Sequence, residues 1–339
     1  MKRLLVAVLI VSFSCKEKID KSEEIEILEL YPVKTIDHLD SFFFTSVTLL
    51  GNKENNFIIS HNPAFLAITN KDFDVLQVLR DTGAGPKEFS FPTQGRYIEG
   101  SLYIADLGNH SIKRFDSNNG QFISAVKIPE PVLDFKFDVD NKGNIYYPIF
   151  SPFDENVILK VDKVGEQLDR FKVSFPESEI GKNRQVKHFQ SDEKGNLIVV
   201  GASLPYIEML DSVGSSINRF NIKNVEPIKT SIDSLESDLR KNPNSQNNIP
   251  MIIMGVQYDR GRLYVSFVDR VGLDRSKARN LLVFRINETS CELEKIFKFR
   301  TGTDDDGFHP INFYVDSQVG KLYTQGLGTK HVYVFDLPE

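Results

Sequence analysis

Tryptophan is missing from this 339-residue chain, and cysteine, methionine and histidine number only 2, 4 and 6. Each shortage excludes something. Without Trp there is no WD-repeat dipeptide and no sialidase Asp-box, and the commonest sugar-stacking platform is lost, which leaves Tyr for that role. Cys15 ends an N-terminal apolar run and Cys291 lies inside a strand pattern, so two such cysteines make no disulfide framework. His38, His61, His110, His188, His309 and His331 show no H-E-x-x-H spacing, and no G-x-S-x-G elbow is present. No catalytic constellation is evident. A net charge of −6 without a basic stripe argues against nucleic acid as a partner. The apolar run Leu4 to Val11 is far shorter than the roughly 20 residues that cross a bilayer.

What the chain has in abundance is short strands. Between Arg96 and Ile128, three runs alternate apolar and polar residues, separated by the turn formers Asp106-Leu107-Gly108-Asn109 and Asp116-Ser117-Asn118-Asn119-Gly120. Such a meander cannot bury its faces alone, so copies of it must stack. A landmark strand announced by Gly or Asn recurs at Asn56–Ile59, Ser101–Ile104, Gly143–Tyr146, Gly195–Ile198, Gly261–Tyr264 and Gly320–Tyr323. A second strand follows each landmark, and a third follows five of the six. The spacing of about 43 to 66 residues is that of propeller blades rather than solenoid turns. The expected fold is therefore all-β, a six-bladed β-propeller in one domain over residues 25–339. The sixth copy lacks an outermost strand, and Glu26 to Tyr31 is a spare one, so the ring is expected to close there. Counting Phe42-Phe43-Phe44 or the long fourth-to-fifth spacing differently leaves five or seven blades as alternatives.

Residues 1–14 read as a signal peptide, with Lys2 and Arg3 before the apolar core, and residues 15–24 as a charged tether. The signal resembles that of bacterial lipoproteins, in which the Cys at this place, here Cys15, is lipidated; Ser12 and Phe13 depart from the usual pattern. A general cleaved signal with Cys15 incidental is the alternative. Lys16-Glu17 resembles the charged signal that sends Bacteroidota lipoproteins to the cell surface. With the six repeats and the string Gly83-Ala84-Gly85-Pro86-Lys87-Glu88-Phe89, the chain resembles the TolB-like six-bladed propeller lipoproteins of Bacteroidota. That resemblance implies architecture and an outer-membrane location, on the periplasmic side or at the surface, and says little about chemistry.

Loops leaving the outermost strand, and those joining the second and third strands, share one face of a propeller, where ligands usually meet it. Lys87 and Glu88 of the GAGPKEF loop are expected there, pointing outward, unless the loop only shapes the crossover between blades with Phe89 as a plug. Asp304, Asp305, Asp306 and His309 occupy the equivalent place after blade five. These carboxylates offer oxygen ligands to a hard cation such as Ca²⁺, though not at D-x-D-x-D-G spacing, so a solvated acidic loop is the alternative. No cofactor is otherwise expected. His110 and His61 fall in loops of adjacent blades, and Arg279 in a charged loop of blade five. Pro227 to Pro250 is an insertion in which Thr230-Ser231-Ile232-Asp233 resembles a capping box, and Ile232, Leu235 and Leu239 are spaced for a helix. The functional expectation is an envelope-anchored binding module. It would be held to the membrane by its lipid and recognise an envelope protein, peptide or small ligand on the loop face. The competing expectation is a propeller hydrolase or lyase using a divalent cation near the channel.

Overall fold

The computed structural model describes residues 25–39, 42–43, 46–128, 136–149, 157–173, 186–241, 251–268, 270–271, 274–275, 280–301, 310–326 and 331–338. The signal and tether lie outside them. Six antiparallel sheets stand in a ring, each numbered here from its innermost strand outward. Blade one is Val47–Gly51, Asn55–His61, Ala64–Asn70 and Val75–Leu79. Blade two is Pro92–Ile98, Ser101–Asp106, Ser111–Asp116 and Phe122–Lys127. Blade three is Asp138–Val139, Ile145–Ile149, Val157–Val161 and Gln167–Lys172. Blade four is Lys187–Ser191, Leu197–Gly201, Tyr206–Leu210 and Ser216–Asn221. Blade five is Ile253–Asp259, Arg262–Phe267, Asn280–Ile286 and Cys291–Phe299, and blade six begins with Pro310–Asp316, Lys321–Gly326 and Val332–Asp336. Every expected landmark strand is the second strand of its blade.

The N-terminal segment closes the ring, but not with the stretch expected. Pro32–Ile36 pairs antiparallel with Val332–Asp336 and is the outermost strand of blade six. Glu26–Leu30 instead pairs parallel with Cys291–Phe299 and adds a fifth strand to blade five. The reason lies in burial: Ile36 joins the core between blades six and one, whereas Leu30 joins the core between blades five and six. Ion pairs from Glu26 to Lys295 and from Glu29 to Arg300 hold the added strand in place.

The core is divided among the junctions between blades. One apolar cluster fills each of the six, so every blade shares its core with both neighbours. This is why middle strands read as continuous apolar runs rather than alternating ones. In Leu197-Ile198-Val199-Val200, Leu197 and Val199 face blade three while Ile198 and Val200 face blade five. Outermost strands do alternate. Turns between first and second strands repeat one device: Asp140 Oδ1 accepts from Lys142 N and Asn144 N, and Asp192 Oδ1 does the same for Lys194 N and Asn196 N. The fourth turn residues, Gly143 and Gly195, take φ of 81° and 83°, a conformation that favours glycine.

The fourth strand of every blade carries a one-residue bulge, at its second residue in five blades and at its fourth in blade five. The residues left unpaired are Leu76, Ile123, Leu168, Ile217 and Val33, and in blade five Glu294. The five aliphatic ones are 38% to 60% exposed.

The insertion after blade four contains the helix Ile228–Lys241, which starts before the expected capping box. Thr230 Oγ1 donates to Glu226 rather than capping, and Ile228 and Ile232 sink into the core between blades four and five. The helix is a buttress on that junction.

Candidate functional site

The GAGPKEF loop runs from the outermost strand of blade one to the innermost strand of blade two, as expected. Its shape comes from beneath. Lys113 and Asp106, 1% and 0% exposed at their side chains, form an ion pair of 2.8 Å. Lys113 Nζ also donates to the Glu88 carbonyl, while Asn109 Nδ2 donates to Asp106 and to the carbonyls of Gly83 and Glu88. Asp106 accepts the N–H groups of Ser90 and Phe91 besides. Burial works against its charge, but Lys113 and those backbone donors outweigh it and hold the carboxyl below its usual range. Phe89 is fully buried, 5.5 Å from Phe115 between their ring centroids. Glu88 does not point outward: its carboxylate accepts from Gly85 N and fills the space over Gly83 and Gly85. Of these two side chains, Lys87 is the exposed one. The loop is thus a built crossover with a plug.

His110 is exposed at φ 46°, in the turn after Leu107. His61 is half-buried, its ring 5.2 Å from that of Phe91; burial lowers its pKa. Cys15, Arg279, Asp304, Asp305, Asp306 and His309 lie outside the described residues. Among the described residues, no three His, Cys, Asp or Glu side chains are grouped to hold a metal ion.

The channel was expected, but sequence reasoning missed the side chains that line it. The innermost strands of all six blades enclose a cavity of about 1110 Å³. Each junction around it is bridged by a side chain reaching a neighbouring strand. Thr48 Oγ1 donates to the Thr93 carbonyl, and Gln94 Oε1 accepts from Phe137 N. Asp138 takes Arg96 Nε at 2.6 Å on one oxygen, and the N–H and hydroxyl of Ser191 on the other. Gln190 Oε1 accepts from Tyr258 N, Gln257 bonds both the N–H and the carbonyl of Val315, and Asn312 Nδ2 donates to the Val47 carbonyl. These bonds satisfy strand edges that would otherwise face the channel unpaired.

At the end of the channel nearest the interblade loops, Lys136 Nζ lies 3.0 Å from His188 Nδ1, and His188 Nε2 lies 3.0 Å from the Ile253 carbonyl. An ammonium only donates, so Nδ1 accepts and the proton sits on Nε2. Burial, with Lys136 and Arg96 nearby, holds the imidazole well below the ordinary histidine range. It is neutral. Asp138 is pushed upward by burial, against the pull of Arg96 and Ser191. Bulges at Thr93 and Met254 break the pairing of two innermost strands where these residues line the channel. Phe91, 41% exposed, stands at the same end. The signal was in the sequence: Gln94-x-Arg96, Lys136-x-Asp138 and His188-x-Gln190 each precede a landmark strand, polar where the strand faces the channel.

No family model and no curated protein sequence matches the chain. Solved structures do. A member of the DUF4221 family from Bacteroides vulgatus superposes with a TM-score of 0.62 at 12% identity, covering 91% of this chain and 97% of that one. An exported protein from Bacteroides fragilis gives 0.57 at 11%, covering 93% and 100%. Virginiamycin B lyase from Staphylococcus aureus gives 0.52 at 10%, covering 90% and 99%. At such identities the likeness shows the fold: the chain is a six-bladed β-propeller.

Proposed function

We propose that the protein is an exported, envelope-anchored binding module of the TolB-like kind, lipidated at Cys15, that takes its ligand over the central channel. The observation that carries this reading is the channel itself, a cavity of about 1110 Å³ whose loop-side end presents Phe91, Met254, Lys136 and His188 together. Similarity in fold to Bacteroides proteins, one described as exported, agrees with the signal-like N-terminus. Lys87 and His110, both exposed, would form the rim with Arg279, Asp304, Asp305 and His309. Ca²⁺ at Asp304 to Asp306 belongs to the same proposal as an aid to loop shape.

A thermal-shift screen of the purified protein against sugars, short peptides, small acids and Ca²⁺ with chelator controls tests it. Binding to the native state raises the midpoint, by about 2.7 kcal/mol of stability at a hundred-fold excess over Kd. A shift lost in Met254→Trp or Phe91→Ala supports the channel. Shifts that ignore both of those and Lys87→Ala would sink the reading. Turnover of a bound compound that stops on Asp305→Ala would establish the enzyme instead.

A further inference from the structure

The N-terminal stretch that closes the ring carries a stripe of exposed apolar side chains. From Ile25 to Val33 every second residue is exposed, and Ile25, Ile27, Tyr31 and Val33 are 36% to 63% so. Leu28 and Leu30, between them in sequence, pack into the junction of blades five and six, so the strand Glu26–Leu30 turns its other side outward. The one charge in the stripe is already matched. Glu29 pairs with Arg300 and accepts from the Tyr31 hydroxyl at 3.0 Å, and these two partners hold its carboxyl below the usual range. Other outer edges also show aliphatic residues, chiefly Val164 and Leu168 on blade three and Val213 and Ile217 on blade four. What sets this stripe apart is its place in the chain. Ile25 comes ten residues after Cys15, and ten residues reach at most about 36 Å when fully extended. However the domain turns, a lipid on Cys15 keeps Ile25 within that distance of the bilayer, whereas blade three stands across the ring from blade six.

We infer that the stripe from Ile25 to Val33 docks on the lipid surface to which Cys15 is tethered. Ile25 and Ile27 enter the boundary between headgroups and acyl chains, and Tyr31, apolar in its ring and polar at its tip, lies at headgroup level. A short tether makes this docking nearly intramolecular, so a patch too small to hold a membrane by itself suffices beside an acyl anchor. The rim of blades five and six then rests on the bilayer, and both ends of the channel stay open to water. This rests on the proposed lipid at Cys15 and adds which surface the domain turns toward it.

The chain has no tryptophan, so a single introduced one reports its surroundings without background. Full-length protein carrying Ile27→Trp, Tyr31→Trp or Leu168→Trp is reconstituted in vesicles of phosphatidylethanolamine and phosphatidylglycerol, with or without brominated acyl chains. All three positions are exposed, so none of these substitutions disturbs the core. Bromine should cut the emission of Ile27→Trp at least about twofold and that of Tyr31→Trp by less, as for side chains at different depths of an interface about 5–10 Å deep. Leu168→Trp should be unaffected. Equal quenching of Ile27→Trp and Leu168→Trp, or none of Ile27→Trp, overturns the inference. A stable dimer that shields Ile27→Trp from iodide without lipid overturns it too, and makes the stripe an interface between copies. Sedimentation with the vesicles, read beside Cys15→Ala, separates docking from anchoring. If Cys15→Ala releases the protein while Ile27→Trp stays unquenched, the lipid anchor stands and only the docking falls. If the intact protein does not sediment, or Cys15→Ala changes nothing, the anchor falls and the inference with it.

Discussion

Among the described residues, Lys113 and Asp106 form the most deeply buried ion pair. Removing one partner of a buried ion pair leaves the other uncompensated, at about 3–5 kcal/mol. Lys113→Met is expected to lose that much in urea unfolding and to loosen the GAGPKEF crossover, whose Glu88 carbonyl it holds. A loss below about 1 kcal/mol would show that the pair contributes little. Because the Asp106 carboxyl sits below its usual range in the fold, its contribution is complete above the unfolded value and disappears as pH falls through the folded one. His188 has the same sign at higher pH. Its folded pKa is depressed, so the unfolded chain binds the extra proton, and stability falls as pH drops below the ordinary histidine value of about 6.5. His188→Gln should flatten the dependence of melting temperature on pH between 6.5 and 5; an unchanged slope would assign it elsewhere. Cys291 offers a cleaner check. Burial pushes its thiol up to about 12, so alkylation by iodoacetamide at pH 8 should be far slower than for a free thiol until the protein is denatured.

At the scale of strands, the outer bulges answer the problem of exposed edges. An unpaired outermost strand is a template for another chain, and a bulge there spoils the register of any newcomer. Among the described residues, five blades keep that edge open and bulge at an aliphatic residue, whereas blade five is covered by Glu26–Leu30 and bulges at Glu294, tied to Arg262 and Arg285. Deleting Leu168, which regularises the blade-three edge, should therefore promote association visible by light scattering, while Leu168→Asn should not. The second, third and outermost strands were largely legible in the sequence, because Gly-led landmarks and Asp-x-x-Gly turns are local signals. The closing strand was legible only in outline. Glu26 to Tyr31 and Pro32 to Ile36 both alternate, and only the positions of Leu30 and Ile36 in different junctions decide which strand goes where. The channel lining was harder still: Arg96, Asp138 and His188 sit on three blades, and what unites them is ring geometry rather than spacing.

At the scale of the molecule, no blade owns its core. Six clusters each span two blades, so losing one blade would strip apolar faces from both neighbours. Unfolding is expected as a single calorimetric transition, and two resolved peaks would show that part of the ring stands alone. Deleting residues 25–31 should lower the melting temperature modestly, whereas deletion through Ile36 should lower it far more. Pairing of Pro32–Ile36 with Val332–Asp336 joins parts of the chain that are made first and last. The ring therefore works as a check on its own manufacture. A chain broken off anywhere before Val332 leaves its early strand unmatched and an apolar junction open to solvent, and a protease can tell it from the finished article without reading any sequence.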